Sequence, residues 1–139
     1  MSFLLDTNAV SEWVKPRPDA GLIRWMEAAD EDRIFLSVIS LAELRYGVER
    51  LPAGKRRRRL EEWLGHELPL RFEGRVLPVD TEVADAWGRT VSRSQAAGRP
   101  MGVMDAFLAA TAEVHRLTLV TRNVDDFVGV KSVVNPWAS

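Results

Sequence analysis

Short apolar runs alternate along the chain with longer stretches in which apolar positions recur every three or four residues. The run Phe3-Leu4-Leu5 stops abruptly at Asp6-Thr7-Asn8, so residues 2–5 read as a buried strand feeding a loop and a helix. Helical patterns cover 7–14 and 20–29, separated by the Pro16-Arg17-Pro18 break. Residues 34–39, rich in β-branched and aromatic side chains, predict a second strand. A helix follows from Ser40, with Leu41, Leu44, Val48 and Leu51 as its stripe, and Pro52-Ala53-Gly54 ends it. Further helices are predicted over 55–68, 81–97 and 103–115, and further strands over 75–79, 117–121 and 131–134. Strands alternating with helices, without a good hairpin signal, predict a three-layer α/β/α sandwich around a central parallel sheet.

Composition narrows the chemistry. The 139 residues are 46% hydrophobic and 28% charged, the make-up of one globular domain spanning 1–139. The absence of cysteine excludes disulfide scaffolds, zinc–thiolate sites and a thiol nucleophile. Two histidines, His66 and His115, are too few for a histidine-rich metal site. The apolar runs are all too short to span a bilayer, and the first residues do not read as a signal peptide, so a soluble, cytoplasmic protein is expected. Net charge is −1, so bulk charge does not announce a nucleic-acid partner, but its distribution is uneven.

Most carboxylates lie in solvated runs such as Asp30-Glu31-Asp32. Three do not. Asp6 follows the first apolar run, Glu43 borders the Leu41/Leu44/Val48 stripe beside Ser40 and Gly47, and Asp105 is the one charge between Val103 and Ala112. A carboxylate withdrawn from water needs a partner, and no basic residue stands at helical spacing from Asp105 within its apolar stretch. Oxygen donors from separate segments suit Mg²⁺ or Mn²⁺. Each residue also has a plainer role open to it: Asp6 as a helix cap, Asp105 as a favourable first-turn charge, Glu43 as a solvated edge. A phosphatase of the haloacid-dehalogenase type is excluded, because the position two beyond Asp6 is Asn8 rather than aspartate.

Four segments then resemble one family. Leu4-Leu5-Asp6-Thr7-Asn8-Ala9-Val10-Ser11-Glu12, Leu36–Gly47 around Glu43, Met104–Ala112 around Asp105, and Val120–Phe127 are similar, in order and from end to end, to the motifs of PIN-domain proteins. The likeness is to the VapC and FitB type toxins of toxin–antitoxin pairs, and the Asn135-Pro136-Trp137 ending is similar to the FitB-like branch. The resemblance implies a PIN fold and a metal-dependent endoribonuclease with Asp6, Glu43 and Asp105 as acidic metal-site residues. It departs from the pattern at Asn123, where many members carry an acid, so Asn123 and Asp126 are both candidates for the fourth position, while Asp125 reads as surface. Thr7, Asn8 and Thr121 are expected to hold the carboxylates in place, and Mg²⁺, with Mn²⁺ as an alternative, is the expected cofactor.

The resemblance also implies a homodimer, a small antitoxin that covers the acidic pocket, an RNA substrate, and operator DNA bound only through the antitoxin. A second reading makes the chain a regulatory binding component of the same fold with weak or lost nuclease activity; Asn123 is the feature behind it. An acidic pocket repels RNA, so positive charge must surround it. Lys55-Arg56-Arg57-Arg58-Arg59 is the candidate, with Arg17, Arg89, Arg93 and Arg99 elsewhere, against the alternative of a solvated helix face. No aromatic interrupts this run, which argues against a base-stacking platform there.

Overall fold

The computed structural model describes residues 1–138. Five strands, β1 (Phe3–Leu5), β2 (Ile34–Ser37), β3 (Val76–Leu77), β4 (Thr118–Val120) and β5 (Val133–Val134), form one parallel sheet in the order β3-β2-β1-β4-β5. The chain steps outward from β1 to β2 and β3, then returns to lay β4 and β5 on the other side of β1. That reversal puts a topological switch point between β1 and β4, where ligands of open α/β sheets bind outside the strands' carboxyl ends.

Helices α1 (Thr7–Trp13), α2 (Ala20–Ala28), α3 (Val38–Glu49), α4 (Lys55–Glu62) and α5 (Leu68–Arg71) connect the first three strands, and α6 (Thr81–Ala96) and α7 (Val103–His115) connect β3 to β4. Alternation along the strands decides which layer each side chain joins. Leu5, Ile34, Leu36 and Val120 pack against Val10, Leu22, Leu44, Leu68 and Phe72 on one face. Leu4 and Leu119 pack against Leu108, Ala109 and Ala112 of α7 on the other. α6 lies outside α7, with Val83 and Ala86 on Ala110 and the Trp87 ring stacked on Phe107 at 5.2 Å.

The differences from the sequence expectation have local causes. β2 ends at Ser37, two residues early, because the Ser37 hydroxyl accepts the Ile39 N–H at 3.0 Å and caps α3 there. The single helix expected over 55–68 is instead α4, a π-helical turn over Trp63–Glu67, and α5. Pro69, which has no N–H to give to a preceding carbonyl, follows directly on the wide turn. β3 and β5 are two residues each, shorter than the apolar runs that predicted them. Short edge strands leave little unpaired backbone.

One glycine is required by close approach. A Cβ on Gly21 of α2 would stand 2.5 Å from both Pro136 O and Ala138 N, so only glycine lets the C-terminal segment lie across that helix. Asp19 fastens the segment, accepting the Leu22 N–H at 3.0 Å and the Ala138 N–H at 2.9 Å through the same Oδ2. No helix among the described residues is long and apolar enough to cross a membrane.

Candidate metal centre

Sheet pairing builds the site. Leu5 and Val120 are register partners, and the Asp6 N–H donates to Val120 O at 2.9 Å, so Asp6 and Thr121, the next residues along, emerge side by side. The Thr121 hydroxyl donates to Asp6 Oδ2 at 2.7 Å and accepts the Asn123 N–H at 3.0 Å, with Asn8 Nδ2 at 3.5 Å. Its one donor and two acceptor positions are then all in use. Asp6 Oδ1 accepts the Thr7 N–H at 2.7 Å, so Asp6 does cap α1, and its plainer role and its place in the site coexist.

Glu43 reaches the same end of the sheet from α3. Thr7 Oγ1 donates to Glu43 Oε1 at 2.5 Å and lies 3.0 Å from Ser40 Oγ. Ser40 is fully buried, one helical turn before Glu43 on the same stripe. The sequence reading noted Ser40 only as a small neighbour and missed this contact; the three-residue spacing was the available signal. Asp105 stands in the first turn of α7, behind the exposed Gly102, Val103 and Met104.

The electrostatics show which groups face one another. Asp6 is buried, and loss of hydration raises its pKa above the ordinary aspartate value. The hydrogen bonds from Thr121 and Thr7 oppose that rise, while Glu43 and Asp126 add to it. Asp105 is raised to about 6, first by desolvation and then by the charges of Asp6, Asp126 and Glu43. Four carboxylates from four segments therefore share one field, and among the described residues no ion pair engages any of them.

Of the two fourth-position candidates, Asp126 lies within this field, carried on the 3₁₀ turn Val124–Phe127. Asn123 joins the group through its backbone, its N–H donating to Thr121 Oγ1 at 3.0 Å and its carbonyl accepting the Asp126 N–H at 3.0 Å. Asn8 bridges the two loops, its Oδ1 3.5 Å from the Arg122 N–H. His66 sits on the π-helical turn and His115 ends α7, so neither is in the site. The basic run opens α4, where Arg57 is tied to Glu61 at 2.7 Å, to Leu51 O at 3.0 Å and to the Glu49 carboxylate. A hollow of about 310 Å³ between α1 and the π-helical turn, lined by Trp13, Trp63 and Arg71, contains none of the four carboxylates.

Asp6 and Asp105, their charged forms disfavoured by burial and by neighbouring carboxylates and unmatched by an ion pair among the described residues, offer oxygen donors that suit a divalent ion. Among the described residues no three carboxylate or imidazole groups are drawn close enough to chelate one by themselves. The fit is therefore to a hard cation that keeps several waters, as Mg²⁺ does.

The family model of the PIN domain matches residues 3–131. The chain belongs to the PIN domain family. Among its PIN-domain relatives, it is 35% identical over 135 residues to VapC ribonuclease Y4jK of Sinorhizobium fredii, covering 96% of both chains. It is 37% identical over 135 residues to toxin FitB of Neisseria gonorrhoeae, covering 96% of this chain and 97% of the relative. The solved structure of FitAB bound to an IR36 DNA fragment superposes with a TM-score of 0.91 at 34% identity, over 99% of this chain and 96% of that one. The expected α/β/α fold with its parallel sheet is thereby established.

Proposed function

We propose that the chain is a Mg²⁺-dependent endoribonuclease and the toxic component of a type II toxin–antitoxin pair. The observation that carries this reading is the convergence of Asp6, Glu43, Asp105 and Asp126 on one field at the carboxyl end of the sheet, with no ion pair to any of them among the described residues. The names of the relatives, a VapC ribonuclease and a toxin, point the same way.

Asp6 and Asp105 are assigned as the principal ligands, with Asp126 rather than Asn123 completing the acidic set. When bound, the ion supplies a water of lowered pKa and neutralises charge on the phosphate. The protein's part is to hold these groups still. Thr121 and the Thr7 amide fix both oxygens of Asp6, and the Thr7 hydroxyl fixes one oxygen of Glu43. The second Glu43 oxygen is left to orient the attacking water and receive its proton. With Asp126 in the set, the departure at Asn123 no longer favours the binding-only alternative.

Partners follow by the same reading: a homodimer, a small antitoxin over the acidic pocket, and operator DNA reached through that antitoxin; the similar FitAB structure is bound to a DNA fragment. The test is cleavage of cellular RNA by the full chain with Mg²⁺ or Mn²⁺, with EDTA, and after Asp6→Ala or Asp105→Ala. Cleavage that requires the ion and is lost in both variants is expected. Metal-independent cleavage surviving both substitutions would overturn the site, and no cleavage of any RNA would return the binding-only reading.

A further inference from the structure

The two halves of α3 carry opposite chemistry on one stripe. Ser40, Glu43, Tyr46, Gly47 and Arg50 recur every three or four residues, so they line one face. Glu43 and Arg50 are seven residues apart, about 10 Å along the axis. Tyr46 is an aromatic side chain left 65% exposed, and the Arg50 guanidinium lies over its ring at 5.3 Å from the centroid. Gly47 beside it is also exposed, and a Cβ there would meet nothing within 4 Å, so the face is open.

Beyond Arg50 the chain turns at Pro52-Ala53-Gly54 into the basic run that opens α4. The Arg57 bonds to Glu49 and to Leu51 O clamp the start of α4 to the end of α3. That clamp uses one arginine; Lys55, Arg56, Arg58 and Arg59 are exposed, and among the described residues none of them is in an ion pair. From Arg45 to Arg59 seven basic residues accompany one acid, Glu49, in a chain whose net charge is −1. The run has no aromatic of its own, but the fold supplies one from the preceding helix, which removes the sequence-based argument against stacking.

We infer that the Glu43–Tyr46–Arg50 face of α3, continued by Lys55, Arg56, Arg58 and Arg59 of α4, is the track on which single-stranded RNA lies as one of its phosphates reaches the carboxylates. Tyr46 stacks a base and the cations hold phosphates, the pairing that sequence-tolerant single-strand binding uses. A second copy of this chain fits the face less well. A two-fold contact would set this basic patch against itself, and the cores of protein interfaces are depleted in charge.

The inference rests on the nuclease reading, so the test measures binding apart from cleavage. Fluorescence anisotropy follows a labelled single-stranded RNA added to the full-length Asp105→Asn variant as parent. Adding Tyr46→Ala is expected to weaken binding about tenfold, and Tyr46→Phe, which keeps the stacking ring, to restore it within about twofold. Arg50→Ala and Arg58→Ala should each weaken binding and flatten the salt dependence by about 0.7 in log–log slope. Arg33→Ala, at the amino end of β2, should do neither. Unchanged affinity in Tyr46→Ala and Arg50→Ala, or loss of affinity that tracks a changed oligomeric state in light scattering, overturns the track while leaving the cleavage result standing. Wild-type protein that binds RNA with the predicted Tyr46 dependence yet never cleaves it supports the track and overturns the nuclease reading instead.

Discussion

Asp105→Asn should make the metal-free protein more stable while disabling its site. The Asp105 carboxyl is raised from 3.8 to about 6 by desolvation and by the charges of Asp6, Asp126 and Glu43. Two pKa units correspond to about 3 kcal/mol for a shielded group. Asp105 is only partly buried, and solvent screening reduces the figure to about 1 kcal/mol. Because the folded state holds this proton more tightly than the unfolded chain, stability falls as pH rises from about 4 to about 6 and stays low above that. At pH 7.5 in EDTA the asparagine variant should therefore melt about 3 °C above wild type, and the gap should shrink through about pH 4 and close by about pH 3, below the unfolded value of 3.8, where folded and unfolded chains are both protonated. Saturating Mg²⁺ should reverse the order, since an ion at a hundred times its Kd adds about 2.7 kcal/mol to a protein that binds it. Thermal unfolding by circular dichroism across this pH range, with and without Mg²⁺, reads all three effects. An asparagine variant no more stable than wild type at pH 7.5, or a gap that widens on acidification, would refute the reasoning.

Thr121→Val keeps the shape of a fully buried side chain but removes the 2.7 Å bond that orients Asp6; Mn²⁺ affinity by titration calorimetry should fall about 10–100-fold. Gly21→Ala drives a methyl into backbone atoms of Pro136 and Ala138, so urea unfolding should register a loss of about 1–3 kcal/mol, and limited proteolysis should find the C-terminal segment released. Leu36→Ala empties a fully buried position between β1 and β3 and should cost about 2–5 kcal/mol. Leu70→Ala, on an exposed side chain, should stay within about 0.5 kcal/mol in the same assay.

The layers of the fold were legible because hydrophobic periodicity is a direct record of burial. Phe3–Leu5 is apolar throughout and Thr118–Val120 is buried throughout, since the sheet is covered on both faces, and Val103–His115 is apolar on most sides, since α7 is sandwiched between the sheet and α6. Boundaries were less legible where a single side chain decided them. Ser37 looked like part of a strand until its hydroxyl was seen to cap α3, and the turn at Trp63–Glu67 leaves the spacing of leucines almost unaltered.

At the site, Asp6, Glu43 and Asp105 stood out because each was a charge in an apolar setting. Asp126 did not, because its neighbours Arg122, Asn123 and Asp125 are polar and exposed, and only the turn of Val124–Phe127 turns it toward the others. Glu12 is the opposite case. It is as buried as Asp6, but Lys15 at 2.9 Å and the Asp19 N–H at 2.9 Å satisfy it, which marks it as a structural carboxylate. Burial marks Asp6 and Glu12 alike; among the described residues Glu12 has an ion-pair partner and Asp6 has none.

Diffraction from crystals soaked in Mn²⁺, with data collected at the manganese absorption edge, addresses the shared ion most directly. The expected result is an anomalous peak at the carboxyl ends of β1 and β4, bonded to Asp6 and Asp105, with waters completing the shell. A peak elsewhere on the molecule, or none at Mn²⁺ concentrations that support RNA cleavage, would contradict it.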